Sequence, residues 1–335
     1  MKSLRLYGPG DLRLVDEPPP VPGPGDELVR VTAVGICGSD LHWYADSGIG
    51  DAVLSRPLVL GHEAGGRIES GPQGGRRVAI DPAIPCEACE QCRAGHTHLC
   101  LAIRFAGHGA TDGALRELVA WPGRCLVPVP DGLDDADVAM LEPLGVALHA
   151  IRLAHVRPGA GVGVFGCGPI GLFLIQLARA SGATTILATD VLPHRLEAAR
   201  EAGATVAAIA SGGSERGELL AATGGRGVDV AFEVAGEDDA LETSIALAAP
   251  AGTVVVVGIP ARDRMAFTAS IARRKGLTIK LSRRMNRVYP DVIRLVEAGL
   301  VDVRLVVTAS YPLSEFEAAF SAAVAREGLK VVVRP

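Results

Sequence analysis

Four cysteines crowd into one short stretch, where Cys86, Cys89, Cys92 and Cys100 follow a Cys-x2-Cys-x2-Cys-x7-Cys spacing. Four thiolates in one loop can close a tetrahedron around a single ion, which is the composition of a structural zinc site. Their neighbours Glu87, Glu90, Gln91 and Arg93 do not read as core sequence, which argues against four buried free thiols. His96 and His98 flank the cluster and are read as loop residues. Cys125 and Cys167 are read as small apolar side chains.

A second set is dispersed along the chain: Gly35-Ile-Cys37-Gly-Ser39-Asp40-Leu-His42, then Gly61-His62-Glu63, then Leu141-Glu142-Pro143. Cys37, His62, Glu63 and Glu142 together supply one thiolate, one imidazole and two carboxylates. That is enough for an open zinc site, with three protein ligands and a fourth position for water or substrate. Asp40 is a natural acceptor for the remaining ring N–H of His62, and would fix its tautomer.

The third signal is glycine. Gly166-Cys-Gly168-Pro169-Ile170-Gly171 follows an apolar run at 162–165 and precedes a helical pattern at 172–180. In that setting the first glycine permits the turn, the second lets a pyrophosphate approach the helix N-terminus, and the third packs helix on strand. Asp190 stands nineteen residues past Gly171, at the end of the next apolar run. A carboxylate there bonds adenosine ribose hydroxyls and repels a 2′-phosphate, so NAD is favoured over NADP. Arg195 either caps the same ribose or starts a solvated helix. Val257, Gly258 and Ile259, at the end of a later run, are placed to meet the nicotinamide with backbone groups.

These residues need elements to hold them. The chain has 335 residues, of which 48% are apolar, so two domains with sizeable cores are expected. Up to about residue 145 short β-rich pieces stand between breakers; from 161 apolar runs alternate with helical patterns at 162–165, 170–181, 185–189, 195–202, 228–233, 239–247 and 253–257. That alternation predicts βαβ units on a parallel sheet. Helices at 289–298 and 314–326, the latter capped by Ser314, and a strand at 330–333 follow. With 33 Lys+Arg against 38 Asp+Glu, net charge −5, no basic footprint for nucleic acid exists. The longest uncharged stretches, 158–178 and 243–261, are broken by Gly and Pro, so no membrane span is expected. The N-terminus lacks the apolar core of a signal peptide, and the seven cysteines favour metal over disulfides; a cytoplasmic protein is expected.

With both metal-type sets upstream of the glycine turn, the sequence resembles the zinc-dependent medium-chain dehydrogenases of the alcohol dehydrogenase superfamily over essentially its whole length. Cys37-Gly-Ser-Asp-Leu-His-Trp-Tyr, Pro57-Leu-Val-Leu-Gly-His-Glu63 and Glu142-Pro-Leu are similar to the sorbitol (L-iditol) dehydrogenase branch. The resemblance implies an α/β protein with a β-rich, GroES-like catalytic domain (1–147 and 285–335) around a doubly wound Rossmann domain (148–284). It implies two zinc ions per chain, and NAD. Cys37 and His62 would bind the catalytic zinc, with Glu63 as direct ligand and Glu142 on the zinc water, or with those carboxylates exchanged. A proton would leave through Ser39, the nicotinamide ribose and His42. Trp43 takes the place of a tyrosine that contacts polyols in the family, and Arg284 or Arg283 keeps a cation whose tyrosine partner is replaced by Met285; Arg283 is assigned to the cofactor and Arg284 to the substrate. The implied reaction is hydride transfer between an alcohol or polyol, sorbitol-like or cyclitol, and NAD, in a homodimer or homotetramer. A simple secondary alcohol or an amino alcohol is the alternative substrate, and a zinc- and nucleotide-binding regulatory protein without turnover the remote one.

Overall fold

A computed structural model describes residues 1–335, which form two compact units. The first comprises Met1–Pro143, Tyr289–Ile293 and Val307–Pro335; the second comprises Leu144–Val288 and Arg294–Val306. Residues 144–147, 285–288 and 294–306, expected with the catalytic domain, thus cluster with the second unit. The first two of these stretches pack on each other closely: a Cβ at Gly145 would stand 2.5 Å from Met285 Sδ and 3.0 Å from Val288 Cγ2.

The first unit is built on a seven-stranded sheet. Its order is Leu126–Pro128, Arg77–Ile80, Glu63–Ile68, Asp26–Gly35, Lys330–Arg334 and Val307–Pro312, with Leu118–Pro122 also paired to Asp26–Gly35. Asp26–Gly35 lies antiparallel to both Glu63–Ile68 and Lys330–Arg334, which sets Gly35 opposite Glu63 on one side and Val332 on the other. Antiparallel pairing with one wet face suits its alternating sequence. The inward residues, among them Leu4, Leu58, Leu60, Leu115, Phe320 and Val333, are fully or almost fully buried.

The second unit carries six parallel strands in the order Val206–Ile209, Thr185–Asp190, Gly161–Phe165, Val228–Glu233, Ala248–Val256 and Thr278–Leu281. The chain starts at the central strand Gly161–Phe165, runs outward one way, then returns to fill the other side. Ligands of such sheets bind where the strand order reverses, outside the carboxyl ends of the strands. Helix Pro169–Ala180 buries every residue from Gly171 to Ala178, matching its apolar sequence.

Local expectations fail in three places. The stretch before 145 is not all β: helices Gly38–Asp46 and Asp135–Ala154 stand there, and Glu142 lies inside the second. That helix is buried on nearly every face and contains Pro143, so neither an amphipathic stripe nor an absence of breakers announces it. Its start is fixed by a reciprocal pair, Asp134 N–H to Asp137 Oδ2 at 3.0 Å and Asp137 N–H to Asp134 Oδ1 at 2.8 Å. Ser314 sits inside the 3₁₀ turn Leu313–Glu315 rather than capping the helix, which runs Phe316–Ala325 with Glu315 at the N-cap. No helix is long and apolar enough to cross a membrane.

One carboxylate beneath the sheet carries a cost. Asp81 accepts Ala83 N–H at 3.0 Å, its carbonyl accepts the Trp121 indole N–H at 2.9 Å, and burial pushes its carboxyl up to about 6. An ordinary aspartate titrates near 4. The folded chain therefore binds the proton more tightly, and stability from this group is lost as pH rises from about 4 through 6. Asp81→Asn keeps the oxygen for Ala83 and removes the charge. It is expected to stabilise by about 1–2 kcal/mol at pH 8 and hardly at all near pH 4, read from denaturant melts at both; an equal gain at the two pH values rules out charge burial as the cause.

Candidate metal centres and dinucleotide turn

Cys37 is the N-cap of helix Gly38–Asp46, so its sulfur faces the positive end of the helix dipole. Three residues on, the Asp40 carboxylate accepts Cys37 N–H at 2.9 Å and Gly61 N–H at 3.0 Å, and lies 3.5 Å from His62 Nδ1. One carboxylate, 1% exposed, thereby ties the helix start to the turn that delivers His62 and Glu63. Gly61, at φ +89°, makes that turn. Burial works against the Asp40 charge, but His62 and the two backbone donors outweigh it and hold the carboxyl below its ordinary range. Burial also opposes a charge on His62; Asp40 and Cys37 outweigh it and raise the imidazole well above its usual value.

The outcome is that ligand atoms of Cys37, His62 and Glu63 all lie within 4.8 Å of one another. Sulfur, nitrogen and oxygen converging in a buried site match the donor set of a three-ligand zinc ion with an open position. Glu142 is buried close by without joining that group of three; burial first, then the Glu63 charge, pushes its carboxyl up to about 7 against the pull of His62. Ser39 Oγ stands 3.4 Å from His62 Nε2, and His42 lies half-buried on the same helix. Trp43, 2% exposed, packs with the core of the first unit, its ring edge-on to His108 at 5.4 Å, on the inward face of the helix that it shares with Asp40.

The four-cysteine loop also converges, with all four Sγ atoms within 4.8 Å of one another. Backbone N–H groups point at the sulfurs: Cys86 N–H at 3.2 Å from Cys100 Sγ, and Cys89 N–H at 3.3 Å from Cys86 Sγ. Backbone donors of Cys92 and Leu101 bring the Cys89 thiol down to about 6, while burial and neighbouring thiols push Cys92 up to about 12. Four thiols with backbone donors aimed at them fit a closed, four-sulfur zinc ion. His96 and His98 stand outside the group. Burial pushes Cys125 up to about 11 and holds Cys167 far above a reactive thiol, its Sγ 3.3 Å from Thr189 O.

In the second unit the three glycines of the turn have three different environments. Gly166 takes φ +111°, and a Cβ on it would stand 2.9 Å from Ala235 N. Gly171 presses on Gly166 O, 2.0 Å from where a Cβ would be. Gly168 is the N-cap of Pro169–Ala180 and is open, with only Arg195 Nη1, at 3.8 Å, near its Cβ position. Pro169 fills the first helical position and Ile170 follows half-buried. Asp190 accepts Cys167 N–H at 2.8 Å and Leu192 N–H at 3.0 Å, with Arg195 Nη1 3.8 Å away. Val257, Gly258 and Ile259 follow strand Ala248–Val256, Val257 falling one residue outside it. Val257 and Gly258 donate to Glu233 O, and Ile259 is 51% exposed. Arg283 is exposed and Arg284 half-buried at φ +56°, both in the second unit.

Two residues at the metal centre have no counterpart among the sequence expectations. Lys330 is buried against Glu63, with Nζ 2.7 Å from each carboxylate oxygen, and Gly35 makes the room for that carboxylate. A single lysine opening an otherwise apolar strand was the one available signal.

Comparison with known proteins gives a matching picture. Residues 23–131 match the alcohol dehydrogenase GroES-like domain and residues 169–298 the zinc-binding dehydrogenase domain. Sorbitol dehydrogenase of Bacillus subtilis (strain 168) is 33% identical over 343 residues, covering 100% of this chain and 97% of that one. L-idonate 5-dehydrogenase of Escherichia coli K-12 superposes with a TM-score of 0.92 at 28% identity, covering 100% of this chain and 98% of the other. An Escherichia coli CFT073 protein described as a short chain alcohol dehydrogenase, complexed with NADH, superposes with a TM-score of 0.91 at 27% identity, covering 100% and 99%. Both domain families thus match in order on a GroES-like unit and a Rossmann-like parallel sheet, and the chain belongs to the zinc-dependent alcohol dehydrogenase family.

Proposed function

We propose that this NAD-dependent dehydrogenase oxidises a secondary hydroxyl of a polyol, with Cys37, His62 and Glu63 holding a catalytic zinc and the four-cysteine loop a structural one. The observation that carries the reading is the convergence of those three unlike donors in a buried site, with a second buried carboxyl, Glu142, beside them. Similarity to a sorbitol dehydrogenase and an L-idonate 5-dehydrogenase supports a polyhydroxylated substrate. The replacement of the family's tyrosines by Trp43 and Met285, both buried, favours a second reading in which the substrate is a simple secondary or amino alcohol.

When bound, the zinc supplies a Lewis acid that lowers the pKa of an alcohol oxygen, and the nicotinamide accepts hydride. The chain's own groups do the rest. Asp40 holds His62 in the tautomer that leaves Nε2 free to bind metal. Glu142, buried beside the three donors, accepts or returns a proton beside the substrate hydroxyl. Ser39 and His42 carry the proton toward solvent. Glycine-turn amides and the N-terminus of helix Pro169–Ala180 receive the pyrophosphate, Asp190 the adenosine ribose with Arg195 beside it, and Val257 to Ile259 the nicotinamide, with Arg283 at the cofactor and Arg284 at the substrate. Residues 1–147 with 285–335 form the catalytic domain in this reading, and 148–284 the dinucleotide domain. A cytoplasmic dimer or tetramer completes it.

Metal analysis is expected to give about two zinc per chain, and Cys37→Ser/His62→Ala about one, with activity down roughly 10³-fold or more from loss of Lewis-acid stabilisation worth several kcal/mol. Full zinc retention in that variant would sink the assignment. A panel of polyols, cyclitols and secondary and amino alcohols scored by NADH formation separates the two substrate readings.

The glycine turn makes its own prediction. Gly168→Ala meets no atom closer than 3.8 Å, so it should fold normally yet bind NADH about tenfold or more weakly, because the methyl occupies the approach of the phosphates. Gly171→Ala, driven to 2.0 Å from Gly166 O, should instead lower the melting temperature. Calorimetric NADH titration beside thermal melts distinguishes these, and unchanged affinity in Gly168→Ala refutes the placement of the pyrophosphate.

A further inference from the structure

Lys330 opens strand Lys330–Arg334 with its side chain 5% exposed. All three of its N–H bonds have acceptors: Glu63 Oε1 and Oε2, each at 2.7 Å, and Ile36 O at 3.1 Å. The carboxylate reaches Lys330 by lying over Gly35, where a Cβ would come 2.1 Å from Glu63 Oε2. Glu63 is therefore held on both oxygens by one ammonium group. It faces Cys37 and His62 as a candidate ligand, while both its oxygens already carry a bond from Lys330.

We propose that Lys330 is a positioning residue that keeps Glu63 a weak, one-oxygen ligand of the catalytic metal, so that the ion's open position stays exchangeable; this rests on the metal-site reading above. A carboxylate offers about four lone-pair sites on two oxygens. Lys330 occupies one on each oxygen and draws charge toward itself, away from the metal side. A carboxylate tethered at both oxygens cannot swing both onto the ion, whereas an untethered one can. Cys37, Glu63 and Glu142 can bring three negative charges to a divalent ion, with Asp40 behind His62; Lys330 offsets one of them at the ligand itself. Removing the ammonium should strengthen the grip on the metal rather than loosen it, the reverse of what damage to packing would do.

The test is release of zinc from the holoenzyme to a chelator, the catalytic phase being the one absent in Cys37→Ser. Lys330→Met keeps the apolar stem and is expected to slow that phase about tenfold, within the range seen when partners of metal ligands are altered. Lys330→Arg should keep the parent rate. With cobalt replacing zinc, Lys330→Met should lose visible d–d intensity as coordination number rises, and Lys330→Arg should not. Release at the parent rate or faster, with an unchanged cobalt spectrum, overturns the proposal. Should Lys330→Met fold poorly, Lys330→Gln, neutral and of similar reach, carries the same expectation of slower release. A parent enzyme with no Cys37-dependent phase refutes the metal-site reading itself, and this inference with it.

Discussion

The metal centre depends on one buried carboxylate. Asp40 is fixed by the N–H groups of Cys37 and Gly61 and by the His62 ring, so the helix start at Cys37 and the turn at Gly61–His62, brought near by the pairing of Gly35 with Glu63, are held at one point. Each of those bonds is charge-assisted and shielded from water, where such bonds are strongest. Breaking them from one side leaves a charge with no solvent to take it, which costs about 3–5 kcal/mol in comparable buried pairs. Strand pairing brings Glu63 opposite Gly35, and this carboxylate then fixes Cys37 and His62 relative to it.

The same device recurs in the second unit. Asp190 holds the glycine turn through Cys167 N–H and the following loop through Leu192 N–H, and Glu233 holds the next strand end through the N–H groups of Ala235 and Gly236. In each case a carboxylate at the end of a strand or helix start replaces the backbone partner that a tight turn cannot provide. Glycines then permit the close approach that the staple enforces. Gly171 against Gly166 O and Gly35 beneath Glu63 are two such places, where a methyl group would collide.

Spacing made much of this legible. Four cysteines within one loop, a strand, glycine turn, helix and distant acid, and three short motifs with unlike donors each point to one chemistry, and the metal-type residues do converge. What stayed hidden lacked a pattern. Helix Asp135–Ala154 is buried on nearly every face and interrupted by Pro143, so its periodicity is silent. Trp43 is buried on the inward face of its helix alongside Asp40, a placement its neighbours in sequence do not announce. Lys330 is a lone charge near the far end of the chain; only strand pairing with Asp26–Gly35 brings it to Glu63, and no local signal encodes that pairing.

That pairing has a consequence for how the protein is made. The bond from Lys330 to Ile36 O joins residues 294 apart in sequence, and the strand that carries Lys330 lies between Asp26–Gly35 and Val307–Pro312. During synthesis the ribosome has delivered every ligand of both metal-type sets, and the whole dinucleotide sheet, long before this strand emerges. Until then the sheet has an open edge beside Val34 and Gly35, and Glu63 lacks its counter-ion. On the metal-site reading, a nascent chain that meets zinc at that stage does so before it can balance the charge around the ion, and the strand that carries Lys330 gives the site its final affinity.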